Sequence, residues 1–222
     1  MSYPYPLVVF DLDGTLVDSA SDIAEALNRT LEAIGMARVP EATVLGWIGD
    51  GVRRLVEQAV HAAGREVDLA EVMPVFMVHY RECLLRSPRL FDGVADALAQ
   101  LRARDVPLAI CTNKPEALVP PLLQHLGIGD AFALILGGDS LPQRKPSGEP
   151  LRHIAAHFGL PVDACLMVGD SLTDYRAAEE AGMPIALVRY GYPRGLDMAT
   201  AHAVAVIDDL RELPGLAAGI PV

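Results

Sequence analysis

Two aspartates separated by one residue are the part of this chain best suited to chemistry. Asp11 and Asp13 lie in the string Asp-Leu-Asp-Gly-Thr, directly after four apolar residues at positions 7–10. Residues two apart in an extended segment point the same way, so both carboxylates can address one small volume. Two carboxylates this close repel each other unless a cation lies between them, and Mg²⁺ takes oxygen ligands in such sites. An Asp-Gly pair alone would be an ordinary turn, but the second acid and Thr15 favour a metal site that holds phosphate.

Three further apolar runs, at residues 106–111, 132–136 and 164–168, are followed by polar side chains. Buried parallel strands have this short apolar pattern, and open α/β sheets place their chemistry just beyond the carboxyl ends of the strands. The side chains after these runs supply a hydroxyl, an amide, two ammonium groups and two further carboxylates: Thr112, Asn113, Lys114, Lys145, Asp170 and Asp174. We therefore expect a parallel sheet whose strand ends carry the functional groups.

In this order the motifs resemble those of the haloacid dehalogenase superfamily, and within it the phosphatases that include the bacterial phosphoglycolate phosphatases. The four matching motifs are Asp11 to Thr15, Thr112-Asn113, Lys145, and Gly169-Asp170 with Asp174. Residues 16–19, 112–115 and 190–192 are similar to the phosphoglycolate phosphatase branch in particular. The resemblance spans nearly the whole chain.

The resemblance implies a Rossmann-like, doubly wound parallel α/β core with an inserted α-helical cap domain. The expected core is residues 1–17 and 89–222, and the expected cap is residues 18–88. Apolar residues at helical spacing between positions 23 and 83 agree with such an insertion. Ser19, three residues before Asp22, has the pattern of an N-terminal cap of the first cap helix.

The resemblance also assigns the chemistry. Asp11 would be the nucleophile that forms an aspartyl phosphate, and Asp13 would act as acid and then as base. Mg²⁺ would be held by Asp11, the backbone carbonyl of Asp13, and Asp170.

The remaining motif residues would bind phosphate or support those that do. Thr112 and Lys145 would hold phosphate oxygens, and Asn113 would do so through its backbone or side-chain amide. Asp174 follows Asp170 by one helical turn, so we expect both on one helix face, with Asp174 orienting Lys145 or metal-bound water.

The loop of residues 47–51 is a candidate for reading the substrate. Trp47 is equally well explained as part of the cap core, and Asp50 would disfavour a carboxylated substrate if it faced the pocket. Arg53 and Lys114 are candidates for a second anionic group, although exposed basic side chains are usually solvated.

A general acid at Asp13 favours a phosphoester over a halide as the substrate. The branch resemblance implies 2-phosphoglycolate, while a sugar phosphate or another small phosphorylated metabolite stays open. A phosphosugar mutase would keep all four motifs. A noncatalytic binding protein would be expected to lack at least one acid or anchor, and all are present.

Composition limits the other partners. The chain has 222 residues, of which 51% are hydrophobic, and a net charge of −11, which argues against nucleic acid or an anionic membrane as a partner. We expect no signal peptide or membrane span, and therefore a cytoplasmic protein. Cys83, Cys111 and Cys165 are expected to be buried free thiols. Both a monomer and a homodimer are compatible with the sequence.

Overall fold

The computed structural model describes residues 3–217, and its strands follow the predicted apolar runs. The strands are β1 Val8–Phe10, β2 Val17–Asp18, β3 Arg89–Leu90, β4 Leu108–Cys111, β5 Leu134–Leu136, β6 Leu166–Gly169, β7 Ile185–Val188 and β8 Ala205–Ile207. Six of them form one sheet in the order β5-β4-β1-β6-β7-β8, and every neighbouring pair is parallel.

Eight α-helices connect these strands within the described residues. They are α1 Ala20–Ala33, α2 Glu41–Leu45, α3 Val52–Ala62, α4 Leu69–Cys83, α5 Val94–Arg102, α6 Val119–His125, α7 Glu149–His157 and α8 Leu172–Ala181. Short 3-10 helices lie at Glu116–Leu118, Gly129–Ala131, Val162–Ala164 and Leu210–Gly215. None of the helices is both long and apolar enough to cross a membrane, as judged over the described part of the chain.

The central sheet is covered on both faces. Successive side chains of a strand point to opposite faces, so Val8 and Phe10 enter one buried cluster, and Leu7 and Val9 enter the other. The first cluster includes side chains of α5 and α6, and the second includes side chains of α7 and α8. Burial on both faces is the reason that these strands are continuous apolar runs rather than alternating ones.

The helices α1 to α4 form the inserted cap. They lie between β2 and β3, which pair with each other antiparallel through Val17 and Leu90. Helix α1 packs against α4, with Leu27 and Phe76 fully buried. A doubly wound parallel core with an inserted helical cap is therefore confirmed, while the exact boundaries at residues 18 and 88 stay a prediction.

The first cap helix begins at the predicted place, but its polar residues have other partners. Ser19 occupies the N-cap position of α1 and makes no side-chain capping bond. Its hydroxyl instead donates to Asp13 Oδ1 at 2.6 Å. Asp22 accepts hydrogen bonds from the backbone and hydroxyl of Ser87. The expected side-chain cap is thus wrong, and these residues tie the start of α1 to the candidate site and to the end of the cap.

Candidate active site

The central strands place the motif residues at the carboxyl end of the sheet. Strand β1 lies between β4 and β6. The sheet continues from β4 to β5 on one side of β1 and from β6 to β7 and β8 on the other, so the direction of strand order reverses at β1. Such a switch point opens a crevice at the carboxyl ends of the strands. Asp11 follows β1, Thr112 follows β4, and Asp170 follows β6, and all three side chains are buried in that crevice.

Lys145 links two of the carboxylates. Its Nζ lies 2.8 Å from Asp11 Oδ1 and 2.6 Å from Asp174 Oδ1, and the residue is only 2% exposed. Burial alone would lower the pKa of Lys145, but the two carboxylates outweigh burial and raise it. The lysine is therefore a fixed positive charge beside Asp11.

Three buried carboxylates lie together here, and the positive charge of Lys145 offsets only part of their negative charge. Oxygens of Asp11, Asp170 and Asp174 all lie within 4.8 Å of one another. Burial and then the neighbouring charge of Asp174 raise the pKa of Asp11 to about 7, and the same two causes raise the pKa of Asp170 well above its ordinary value. A cluster of hard oxygen ligands with excess negative charge fits a divalent cation such as Mg²⁺.

The surroundings of Asp170 hold its carboxylate in place. Thr15 Oγ1 donates to one oxygen at 2.6 Å, and the backbone N–H of Tyr192 donates to the other at 2.7 Å. Gly14 has φ of 96°, and a Cβ added there would lie 2.4 Å from Asp170 Oδ2. Only glycine fits this turn, because any side chain would collide with the carboxylate.

Asp174 reaches the site through a helix cap and does not share a helix face with Asp170. Asp170 precedes α8, and Ser171 is the N-cap residue that forms a capping box with Asp174. Asp174 Oδ2 accepts from Ser171 Oγ at 2.6 Å and from the backbone N–H of Ser171 at 3.1 Å. The expected shared face is wrong, because Asp170 lies outside the helix. The predicted contact between Asp174 and Lys145 is present.

Several hydrogen-bond donors near Asp11 have no acceptor in the described part of the chain. The backbone N–H groups of Asp13 and Asn113 are two of them. The Thr112 hydroxyl accepts from the Lys114 backbone at 3.2 Å, which leaves its own proton free to donate. Adjacent free donors of this kind favour an anion.

The Asn113 side-chain amide donates its hydrogen bonds within the protein and not to a phosphate group, which was one of the two contacts expected of Asn113. Its Nδ2 donates to the backbone oxygens of Gly49 at 2.9 Å and Lys145 at 2.8 Å. Both N–H groups of the amide are therefore taken, and they join the cap loop to the loop that carries Lys145. The backbone N–H of Asn113 and its buried side-chain oxygen Oδ1 have no hydrogen-bond partner among the described residues.

Lys114 is buried, so the expectation that it would be solvated is wrong. The residue is 4% exposed, and its Nζ lies 3.0 Å and 3.2 Å from the two oxygens of Asp13. It also lies 2.5 Å from the hydroxyl of Tyr80 on α4. Tyr80 was not predicted from the sequence as a site residue, although a tyrosine in an apolar helical stripe usually has a polar partner.

A cavity of about 30 Å³ lies between the cap and the core. Its polar lining comes from Tyr80 of the cap and from five core residues: Asp11, Asp13, Thr112, Asn113 and Lys114. The other side chains of its lining are apolar and come from the cap: Ile23, Trp47, Ile48, Val52 and Leu55. Trp47 lines the cavity and also packs against the buried cluster, so its place in the cap core is confirmed, while its part in reading the substrate stays a prediction.

Asp50 does not line this cavity. Its Oδ1 lies 2.5 Å from Arg194 Nη1 and accepts from Thr173 Oγ1 at 2.8 Å. Burial acts to raise the pKa of Asp50, but the hydrogen bonds from Arg194 and Thr173 outweigh it and lower the pKa. The cap loop is therefore paired to the core, through an arginine that the sequence analysis did not identify.

The neighbouring arginines of the cap behave as a solvated helix face. Arg53 and Arg54 have exposed side chains, and both pair with Glu57 along α3 at 3.2 Å and 3.3 Å.

Residues 5–182 match the haloacid dehalogenase-like hydrolase family, and the chain belongs to this family. It is 42% identical over 218 residues to a plasmid-encoded phosphoglycolate phosphatase of Cupriavidus necator, covering 97% of this chain and 94% of that protein. It is also 42% identical to the phosphoglycolate phosphatase of Yersinia pseudotuberculosis, covering 93% of this chain and 90% of that protein. A crystal structure of a predicted phosphoglycolate phosphatase from Haemophilus somnus has a TM-score of 0.88, with 34% identity over 95% of this chain and 96% of that chain.

Proposed function

We propose that this protein is a Mg²⁺-dependent phosphomonoesterase that converts 2-phosphoglycolate to glycolate and phosphate through an aspartyl phosphate on Asp11. The observation that carries the proposal is the buried Asp11 carboxylate, which Lys145 holds at 2.8 Å in the crevice of the sheet. Asp13 lies two residues further on and lines the same cavity. The relatives named as phosphoglycolate phosphatases, which match over nearly the whole chain, support this substrate. We place the reaction in the cytoplasm, with a small phosphorylated metabolite as substrate.

The residues that would hold Mg²⁺ are Asp11 and Asp170, together with the backbone carbonyl of Asp13. Bound there, the ion would supply positive charge that offsets the charge of the phosphoryl group and of the nucleophile. Asp174 would remain with Lys145 and keep that ammonium group aimed at the reacting centre.

In the first step a carboxylate oxygen of Asp11 forms a bond to phosphorus as the bond from phosphorus to the leaving oxygen breaks. Asp13 gives its proton to that oxygen, so that the alcohol leaves neutral. In the second step Asp13 takes a proton from a water whose oxygen forms a bond to phosphorus. The bond from phosphorus to Asp11 breaks at the same time, so inorganic phosphate leaves and the Asp11 carboxylate is regenerated. The Thr112 hydroxyl, the backbone N–H of Asn113 and the Lys145 ammonium group hold the phosphoryl oxygens throughout.

The helical insertion, residues 18–88, serves in this proposal as a lid over the reacting groups. Its apolar side chains exclude bulk water from the cavity, which strengthens the electrostatic contacts inside and limits the second step to one positioned water. Three contacts seat the insertion on the core: Asn113 with Gly49, Asp50 with Arg194, and Tyr80 with Lys114.

Phosphate release from a panel of esters tests the proposal. The panel contains 2-phosphoglycolate, sugar phosphates, nucleotides and pyrophosphate, each with Mg²⁺ and with a chelator. We expect the highest kcat/KM with 2-phosphoglycolate and no turnover by the Asp11→Asn variant. The exposed Asp130 precedes β5, so Asp130→Asn is the matched control and should keep full activity.

Other results would revise the proposal in defined ways. Preference for another ester would replace the substrate and keep the mechanism. Conversion of a sugar phosphate to its isomer without free phosphate would indicate a mutase. Absence of any reaction, or turnover by Asp11→Asn, would refute the proposal.

A further inference from the structure

A buried cation and a buried phenol meet at the end of the cavity that the cap closes. Lys114 Nζ lies 4.7 Å from the centroid of the Tyr80 ring and donates to the Tyr80 hydroxyl. Burial lowers the pKa of Lys114, but Asp13 and Tyr80 outweigh it and raise the pKa, so the lysine is charged. Burial raises the pKa of Tyr80, so the phenol is neutral and keeps its proton.

The Tyr80 proton has no acceptor among residues 3–217. The hydroxyl accepts from Lys114 and donates to none of the described groups, and the side chain is only 2% exposed. A buried donor without an acceptor destabilises the protein, because it has lost its hydrogen bonds to water without replacement. The cavity therefore contains a free O–H donor next to an ammonium group, which is the pairing that a carboxylate can satisfy with its two oxygens.

The rest of the cavity limits what can enter. Apart from the Tyr80 hydroxyl and the Trp47 indole N–H, the cap side chains that line it are apolar, so they offer few partners for the several hydroxyls of a sugar. The cavity has a volume of about 30 Å³, which is room for about two water-sized groups, so only a short substituent fits between the cap and the reacting groups. Asp11 lines the same cavity as Lys114, so one short molecule can reach both ends.

We infer that Lys114 and Tyr80 bind a carboxylate of the substrate, and that this pair makes the enzyme selective for small phosphorylated acids. The inference rests on the proposed phosphatase function and deepens it. Tyr80 belongs to the cap and Lys114 to the core, so the receptor is complete only when the cap is seated. A substrate that carries the carboxylate bridges the two and favours the closed arrangement.

Binding to Asp11→Asn protein tests this without turnover. Calorimetry with Mg²⁺ would compare 2-phosphoglycolate with ethyl phosphate, which has the same two carbons and no carboxylate. We expect 2-phosphoglycolate to bind more tightly, and Tyr80→Phe in this background to lower the ratio of affinities by about 10-fold to 100-fold, as expected for a hydrogen bond to a charged group. Lys114→Met should lower the ratio at least as much. Tyr3→Phe removes another buried hydroxyl, which donates to Leu213 outside this cavity, and should leave the ratio unchanged.

Two results would overturn the inference. One is equal affinity of the parent protein for the two ligands. The other is an unchanged ratio of affinities in Tyr80→Phe; if both affinities fell equally, the pair would only position Asp13. Phosphate release by the wild-type protein separates this failure from failure of the proposed function, because an active phosphatase without the carboxylate preference would keep the mechanism and lose only the receptor.

Discussion

Replacing Asp11 by asparagine should stabilise the metal-free protein while it removes activity. Burial and the charge of Asp174 raise the pKa of Asp11 from 3.8 to about 7, even though Lys145 opposes them. Each pKa unit corresponds to about 1.4 kcal/mol, so keeping this carboxylate ionised costs about 4 kcal/mol of folding free energy. Asparagine has nearly the same shape and carries no charge, so it avoids most of that cost.

The effect should depend on pH with a defined sign. The pKa of Asp11 is higher in the folded state, so the wild-type protein loses stability as pH rises from about 4 to about 7. Above that range the full penalty is present, and below it the penalty is absent. The stability gain of Asp11→Asn should therefore be about 2 kcal/mol at pH 5 and approach about 4 kcal/mol at pH 8, where it is on the order of 10 °C in Tm for a chain of this size.

Urea unfolding in a chelator at the two pH values measures this difference. Asp130→Asn is again the control, because Asp130 is exposed and its replacement should change stability equally little at both pH values. A variant no more stable than wild type at pH 8 would show that the ionised Asp11 carboxylate does not destabilise the folded protein. A gain of equal size at both pH values would show that it arises from packing and not from ionisation.

Two further substitutions test the metal site and the seating of the cap. Asp170→Asn keeps the side-chain shape and removes the charge, so Mg²⁺ affinity should fall at least about tenfold; an unchanged calorimetric Mg²⁺ titration would exclude Asp170 as a ligand. Asp50→Asn weakens the pair with the largely buried Arg194, so KM for 2-phosphoglycolate should rise up to about fivefold. Glu57→Gln, which affects only the exposed arginines of α3, should leave KM unchanged, and equal KM values in both variants would remove Asp50 from cap seating.

Much of the fold was predictable because its signals are local. Each of the four apolar runs overlaps a strand of the central sheet, and each predicted strand is somewhat longer than the observed one. Residues 164–168, for example, correspond to β6 at Leu166–Gly169. The apolar stripe that includes Leu27 correctly predicted a cap helix, because helical periodicity can be recognised within a few consecutive turns. Ser19 shows the limit of such signals, because its hydroxyl bonds Asp13 rather than the helix that it begins.

The candidate site likewise combines residues that the sequence identified with pairings that only the folded structure shows. The sequence by itself determined which acids, hydroxyls and lysines follow the strands, because chemistry at the carboxyl ends of a parallel sheet is a consequence of topology. Tertiary structure alone decided which of them pair. Lys114 meets Tyr80 across 34 residues, and Asp50 meets Arg194 across 144. These contacts depend on how the cap is seated on the core, and no local pattern contains that information. The sequence therefore determined which candidate reacting groups follow the strands, and the packing of cap on core decided their charge partners and the cavity between the two.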